Sequence, residues 1–206
     1  MSDSTILNVE KNKEIFIEQC NKHIKREGIN DLLDYLQNET DFFEAPASTR
    51  FHLCCRGGLA MHSLNVFKRL IYEYKIEHQI SNLPELDDSV YETLTIISLF
   101  HDICKANYYK IDLRNEKEKG VWVKKPYYAV NEKFALGHGE KSVIMLMKFM
   151  KLTDEEIVAI NTHMGFSDKR VIGGDYSILN EWENYPVAAL LHVADLKATK
   201  IDERDI

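Results

Sequence analysis

The sequence predicts a mainly α-helical protein interrupted once by a β-hairpin, and three observations carry that expectation. Apolar residues recur at helical spacing over most of the chain. Glycine and proline, which punctuate helices, number only nine and four in 206 residues. Between Ala106 and Phe134 the helical pattern stops, and β-branched and aromatic residues gather on both sides of a polar turn.

Asn8 to Glu27 is expected as the first helix, with Ile15, Cys20 and Ile24 on a charged background and Gly28 as its C-cap. A short helix, Asp31 to Asn38, follows. The loop from Phe42 to Ser48 then leads to Arg56-Gly57-Gly58. A second long helix is expected from about Leu59 to Lys75, and a third from Asp88 to about Lys105. The hairpin, an insertion at about 107–131, begins with Tyr108, Tyr109, Ile111 and Leu113. It crosses a charged turn from Arg114 to Gly120 and resumes with Val121, Trp122, Val123, Tyr127, Tyr128 and Val130. Gly137-His138-Gly139 opens a helix to about Lys151. Thr153 and Glu156 have capping-box spacing and start a helix ending near His163. Pro186 suits the first position of a last helix carrying His192 and Asp195. No repeat, low-complexity tract or linker is visible. The chain therefore reads as one domain over 1–206, with an N-terminal helical extension (1–40) ahead of a core (42–200).

At 45% apolar and 29% charged, the composition fits a globular protein long enough to bury a core. No stretch approaches the roughly 18 apolar residues of a membrane span, and Met1-Ser2-Asp3-Ser4 does not open a signal peptide. Cys20, Cys54, Cys55 and Cys104 show no paired metal-binding spacing, so they read as small core thiols in a reducing, cytoplasmic compartment. A net charge of −7 disfavours non-specific binding of long nucleic acid.

Six residues stand out as metal-ligand candidates: His62, His101, Asp102, His138, His163 and Asp195. His101 and Asp102 close the apolar run Leu94 to Phe100. Burying an imidazole beside a carboxylate is costly unless something satisfies both. His101 shares a helical face with Leu94 and Ile97, Asp195 with Leu191 and Val187, and His62 with Leu59 and Val66. A helical bundle brings such stripes together at its centre. A mixed imidazole and carboxylate set suits Mn, Fe, Co, Ni or Zn better than Ca or Mg. His52, His78 and His192 read instead as surface or satisfied core histidines.

The order of these residues carries a resemblance. Gly57-Gly58-Leu59-Ala60-Met61-His62-Ser63, His101-Asp102-Ile103-Cys104-Lys105 and Leu191-His192-Val193-Ala194-Asp195 together resemble the HD superfamily of metal-dependent phosphohydrolases, over roughly Phe42 to Lys200. The resemblance implies an HD-domain helical bundle with His62, His101, Asp102 and Asp195 as ligands of a first metal, and Lys105 directed at substrate phosphate. Gly137-His138-Gly139 and Thr162-His163-Met164-Gly165 resemble the histidines of members that bind a second metal, with Asp102 bridging. One His stands at the second of these motifs, where the cyclic-dinucleotide phosphodiesterase branch has a pair. The Phe42 to Ser48 loop and the Gly-Gly-Leu-x-x-His segment look closest to the HD domain of bacterial 3′-to-5′ exoribonucleases, whose OB-fold has no counterpart in the forty residues ahead of the match.

The resemblance implies hydrolysis of a phosphoester by metal-activated water, with one or two divalent transition-metal ions and Mg less suited. His138 and His163 would act as second-metal ligands, phosphate contacts or proton donors. Arg56 and Lys141 are further substrate-binding candidates. From Lys105 to Lys133 eight basic residues face four acidic ones, with five aromatics interleaved. That composition suits a nucleotide or a short single strand. It suits equally a lysine-protected edge strand with aromatic cross-strand pairs. Phosphomonoesterase, dNTP hydrolase and phosphodiesterase remain open, as does a non-catalytic domain that binds a nucleotide and signals. Oligomeric state is not readable from the sequence. A structural zinc site is disfavoured, because such sites are closed and Cys-rich.

Overall fold

In the computed structural model, which describes residues 8–81 and 86–204, helices pack around one apolar centre. The expectations for Met1–Ser4 and for the start of the N-terminal extension lie outside the described residues. Helix α1 (Val9–His23) is capped by the Asn8 side chain and buries Phe16 and Cys20. Phe16 meets Phe42, Phe43 and Phe100 edge-on at centroid distances of 5.2–5.5 Å, which ties the first helix to the loop and to the helix before His101.

Helix α1 stops at His23 rather than reaching Glu27. Ile24 turns extended and is buried, and the Glu92 carboxylate accepts from the freed Lys25 and Arg26 amides at 2.6 and 2.9 Å. Gly28 is therefore not a C-cap. With φ +92° it precedes α2 (Ile29–Asn38), and a Cβ there would lie 1.8 Å from the Phe149 carbonyl oxygen.

Helix α3 (Gly58–Glu77) packs on both α4 (Asp88–Phe100) and the last helix, α9 (Pro186–Lys197). The helix expected to run to Lys105 ends at Phe100, and a short 3-10 turn, Ile103–Lys105, follows. The Ser98 carbonyl, which would continue the helical ladder, accepts instead from the His101 ring at 2.8 Å, and Asp102 leaves the helical region.

The hairpin forms from β1 (Tyr109–Glu118) and β2 (Val121–Val130), paired antiparallel from Tyr109↔Val130 to Glu118↔Val121. The turn is only Lys119-Gly120, both at positive φ, as a two-residue type I′ loop requires. Most of the charged segment expected as turn is strand. Glu116 pairs across to Lys125 at 3.4 Å, and Arg114 lies over the Tyr127 ring.

Helix α5 (His138–Leu146) stops short of Lys151. The chain must turn there to lay Phe149 on Gly28 and to present the Lys151 carbonyl to Arg26. Helix α6 (Asp154–Thr162) begins with the expected capping box, and Pro186 opens α9. Between them lie α7 (Lys169–Ile172) and α8 (Ser177–Asn184), which the sequence reading did not anticipate. Helix α8 buries no residue fully and is held by the Trp182 indole donating to Thr162 Oγ1 at 2.8 Å. Lys197 at the end of α9 pairs with Glu73 of α3, and the π-type turn that follows, Ala198–Asp202, folds back on α3 through the Arg69–Asp202 ion pair. Among the described residues no helix is long and apolar enough to cross a membrane.

Candidate metal centre

His101 and His163 occupy equivalent local positions. Each is the C-cap residue of its helix, α4 or α6, and each ring donates Nδ1–H to the carbonyl three residues back, Ser98 at 2.8 Å and Ile160 at 2.7 Å. That bond fixes the tautomer and leaves Nε2 as a bare lone pair. Both side chains are fully buried, so neither Nε2 meets bulk water.

His62, in the second turn of α3, reaches the same arrangement by another route. Its Nδ1 lies 3.0 and 3.1 Å from the two carboxylate oxygens of Glu203, which also accepts from Asn65 Nδ2 at 3.0 Å. His62 Nε2 therefore points away from Glu203. It lies 3.3 Å from His101 Nε2, 3.2 Å from Asp195 Oδ1 and 3.8 Å from Asp102 Oδ2. His163 Nε2 approaches Asp102 Oδ1 at 3.7 Å, and His101, His163 and Asp195 can place ligand atoms within 4.8 Å of one another.

Three imidazoles and two carboxylates thus converge on one buried point from four segments. Asp102 Oδ1 and His163 Nε2 are buried with no hydrogen-bond partner. Two ring nitrogens at 3.3 Å and an orphaned carboxylate oxygen have more lone pairs than protons to share. A divalent cation satisfies such a set, and the nitrogen and oxygen donors fit a transition metal.

The electrostatics agree with the geometry. Burial alone would neutralise Asp102, but the Lys105 ammonium at 2.6 Å and His101 hold its carboxyl well below the usual range. Asp195 is likewise held low against its burial by His62. Burial opposes charge on His62, yet hydrogen bonds to Asp195 and Glu203 raise it to about 10. In the ion-free protein His62 is the proton-bearing member, donating toward Asp195. Burial and the neighbouring His101 push His163 down to about 4, so it stays a neutral ligand.

The remaining expected residues fall elsewhere. His138, at the start of α5, has its Nδ1 3.2 Å from Cys104 Sγ and groups with Cys104 and Asp102, whereas His163 groups with His101 and Asp195. Lys105 is shared between Asp102 and the Ala47 carbonyl at 2.9 Å. Arg56 pairs with Glu44 beside a cleft of about 240 Å³ between the Asp41–Pro46 loop and Tyr109, Ile111 and Tyr128 of the hairpin. Lys141 is bonded to Glu132 at 2.9 Å and lies over the Tyr108 ring.

Three participants escaped the sequence reading. Glu203 lies beyond the last recognisable motif, and a carboxylate in a charged tail gives no signal. His52, read as a lone histidine, has its ring tilted against that of His62 at a centroid distance of 4.9 Å and belongs to a group with His62 and Glu203 able to hold an ion. Cys104 was read as a core thiol; it is buried, and its sulfur faces a histidine. Its place between Asp102 and Lys105 was the one available clue. Compared with family models, curated proteins and solved structures, the chain matches none.

Proposed function

We propose that this chain is an HD-type metal-dependent phosphohydrolase acting on a nucleotide or short oligonucleotide. One observation carries the reading: His62, His101 and His163 each have Nδ1 engaged and Nε2 turned toward Asp102 and Asp195 around a buried point. His62, His101, Asp102 and Asp195 would hold the ion, with His163 completing the set. A bound divalent ion would supply Lewis acidity and a water whose pKa falls from 15.7 to about 7.

The chain's own groups do the rest. Glu203 and the Ser98 and Ile160 carbonyls hold the imidazoles in the ligating tautomer. Asp102 keeps its charge through Lys105, which lies one side chain away from the centre and can turn to a phosphoryl oxygen. The basic, aromatic hairpin begins four residues after Lys105, close enough to contact a base or sugar.

The test is a hydrolysis screen of nucleoside mono- and triphosphates, cyclic dinucleotides and short RNA with Mn, Fe, Co, Ni, Zn and Mg, with metal content measured in parallel. Turnover with a transition metal, lost together with metal content in Asp102→Ala, is expected. Tight nucleotide binding without turnover under any of these metals would favour a signalling domain. Full activity in Asp102→Ala would overturn the proposal.

A further inference from the structure

We propose that one face of the β-hairpin is a two-fold interface between copies of this chain, in which the basic tip of each hairpin meets the acidic base of the other.

Residues directly opposite in an antiparallel pair share a face. The register sets Ile111 opposite Tyr128, Leu113 opposite Pro126 and Lys117 opposite Trp122 on one face of the ribbon. Ile111, Leu113 and Trp122 are 70, 58 and 68% exposed there, so the face is apolar and uncovered. The opposite face carries Lys110, Arg114 and Lys125 beside Asp112, Glu116 and Glu118, and these six charges pair among themselves. That face suits water; the first does not. A two-stranded ribbon is marginal by itself and gains stability by packing its apolar face. An uncovered apolar face of this kind marks an interaction surface.

Charge identifies the occupant. Among the described residues Lys117, Lys119 and Lys124, all toward the tip, have no carboxylate within ion-pair distance. At the other end of the same face, Tyr109, Ile111 and Tyr128 wall the cleft against the Asp41–Pro46 loop. That loop closes a stretch, Glu27 to Glu44, with six acidic residues and no lysine or arginine. Glu39 and Asp41 stand at the hairpin base, where Asn107 holds the Glu39 carbonyl and the Asp41 carboxylate. Strands of ten residues span roughly 33 Å, with Leu113 and Pro126 near the middle. Two hairpins laid face to face and antiparallel about a two-fold axis bring those residues against their own copies. Each tip then lies over the other copy's acidic base. A two-fold contact requires such self-complementarity. A single strand of nucleic acid would suit the tip but not the middle, since Ile111 and Leu113 offer no ring to a base. The Trp122 ring has Lys117 over it, 6.0 Å from its centroid.

The test is sedimentation equilibrium of the intact chain and its variants at low and high salt. A dimer is expected at about 100 μM, where even a Kd of about 10 μM leaves most copies paired. High salt should weaken it, because the tip contacts are exposed charges. Leu113→Asp should give a monomer with an unchanged urea midpoint, and Trp122→Ala should raise Kd by at least about 30-fold. Charge reversal then tests the register. A Lys117→Glu, Lys119→Glu, Lys124→Glu chain and an Asp34→Lys, Glu39→Lys chain should each be monomeric alone, since tip and base repel. Mixed, they should form a one-to-one dimer in which both tip–base contacts are attractive. A monomer at about 100 μM and low salt, or a dimer that every variant preserves, would overturn the proposal. So would two charge-reversed chains that stay apart when mixed. A monomer that needs Trp122 to bind a labelled single-stranded tetranucleotide would assign the face to nucleic acid and overturn it as well.

Discussion

Glu203 offers the sharpest test of the proposed centre, because it touches the proposed ligand His62 without being one of the proposed ligands. Replacing it with glutamine keeps an acceptor for the His62 Nδ1 proton and removes the charge. The carboxylate is fully buried, lies 3.0 and 3.1 Å from His62, and is fixed by Asn65. Outer partners of this type are worth 10- to 100-fold in metal affinity, or about 1.4–2.7 kcal/mol. The pH dependence makes the prediction more specific. Burial disfavours charge on His62, but Asp195 and Glu203 hold its pKa up at about 10, and an ion must displace that proton. Affinity should therefore climb with pH, by at most tenfold per unit, until His62 is neutral. Glu203→Gln removes one of the two carboxylates, lowers the His62 pKa and ends the climb earlier. The loss in affinity should be widest at high pH and narrow toward neutrality. Linkage gives the sign for the ion-free protein. His62 is raised above its unfolded value, so its stabilisation is complete below about 6.5 and declines as pH rises toward 10. That decline should be shallower in the variant. Competition with a coloured chelator between about pH 6 and 9, alongside urea melts of the ion-free protein, measures both. A gap in affinity that does not change with pH, or no gap at all, would refute the assignment of Glu203 as the group that orients and charges His62.

Other substitutions test the frame around the site. Arg26→Ala strips a two-pronged guanidinium contact from the fully buried Glu156 and should cost about 3 kcal/mol, read as a lower urea midpoint at unchanged slope. Thr153→Ala removes the capping box of α6 and should cost about 1 kcal/mol in the same melts. Gly28→Ala meets both a left-handed φ and the Phe149 carbonyl, and should cost more than about 2 kcal/mol. Gly120→Ala, at φ +87° with open space around it, should cost only about 1 kcal/mol. Equal losses at the two glycines would show that the Phe149 contact contributes nothing.

Much of the architecture was legible because it depends on local chemistry. Apolar spacing marked the long helices, Thr153 and Glu156 marked a start, and Pro186 marked another. The hairpin announced itself through its β-branched and aromatic residues. Errors came where tertiary contacts outweighed the local signal. The end of α1 is decided by Glu92 and by Ile24 turning inward, and the end of α5 by Arg26 and Gly28. Helix α8 has no buried face for the eye to follow.

The sequence by itself determined which side chains were candidates for the centre, since His62, His101, Asp102, His163 and Asp195 all ride on inward stripes or helix ends whose period is local. Only the tertiary structure decided how they are used. The carbonyls that fix two imidazoles, the carboxylate of Glu203 behind a third, and the sulfur of Cys104 beside His138 are contacts between segments distant in the chain or set by a helix break. Periodicity reports which face of a helix is inward. It carries no information about what that face meets, and the meeting makes the difference between buried polar residues and a site for an ion.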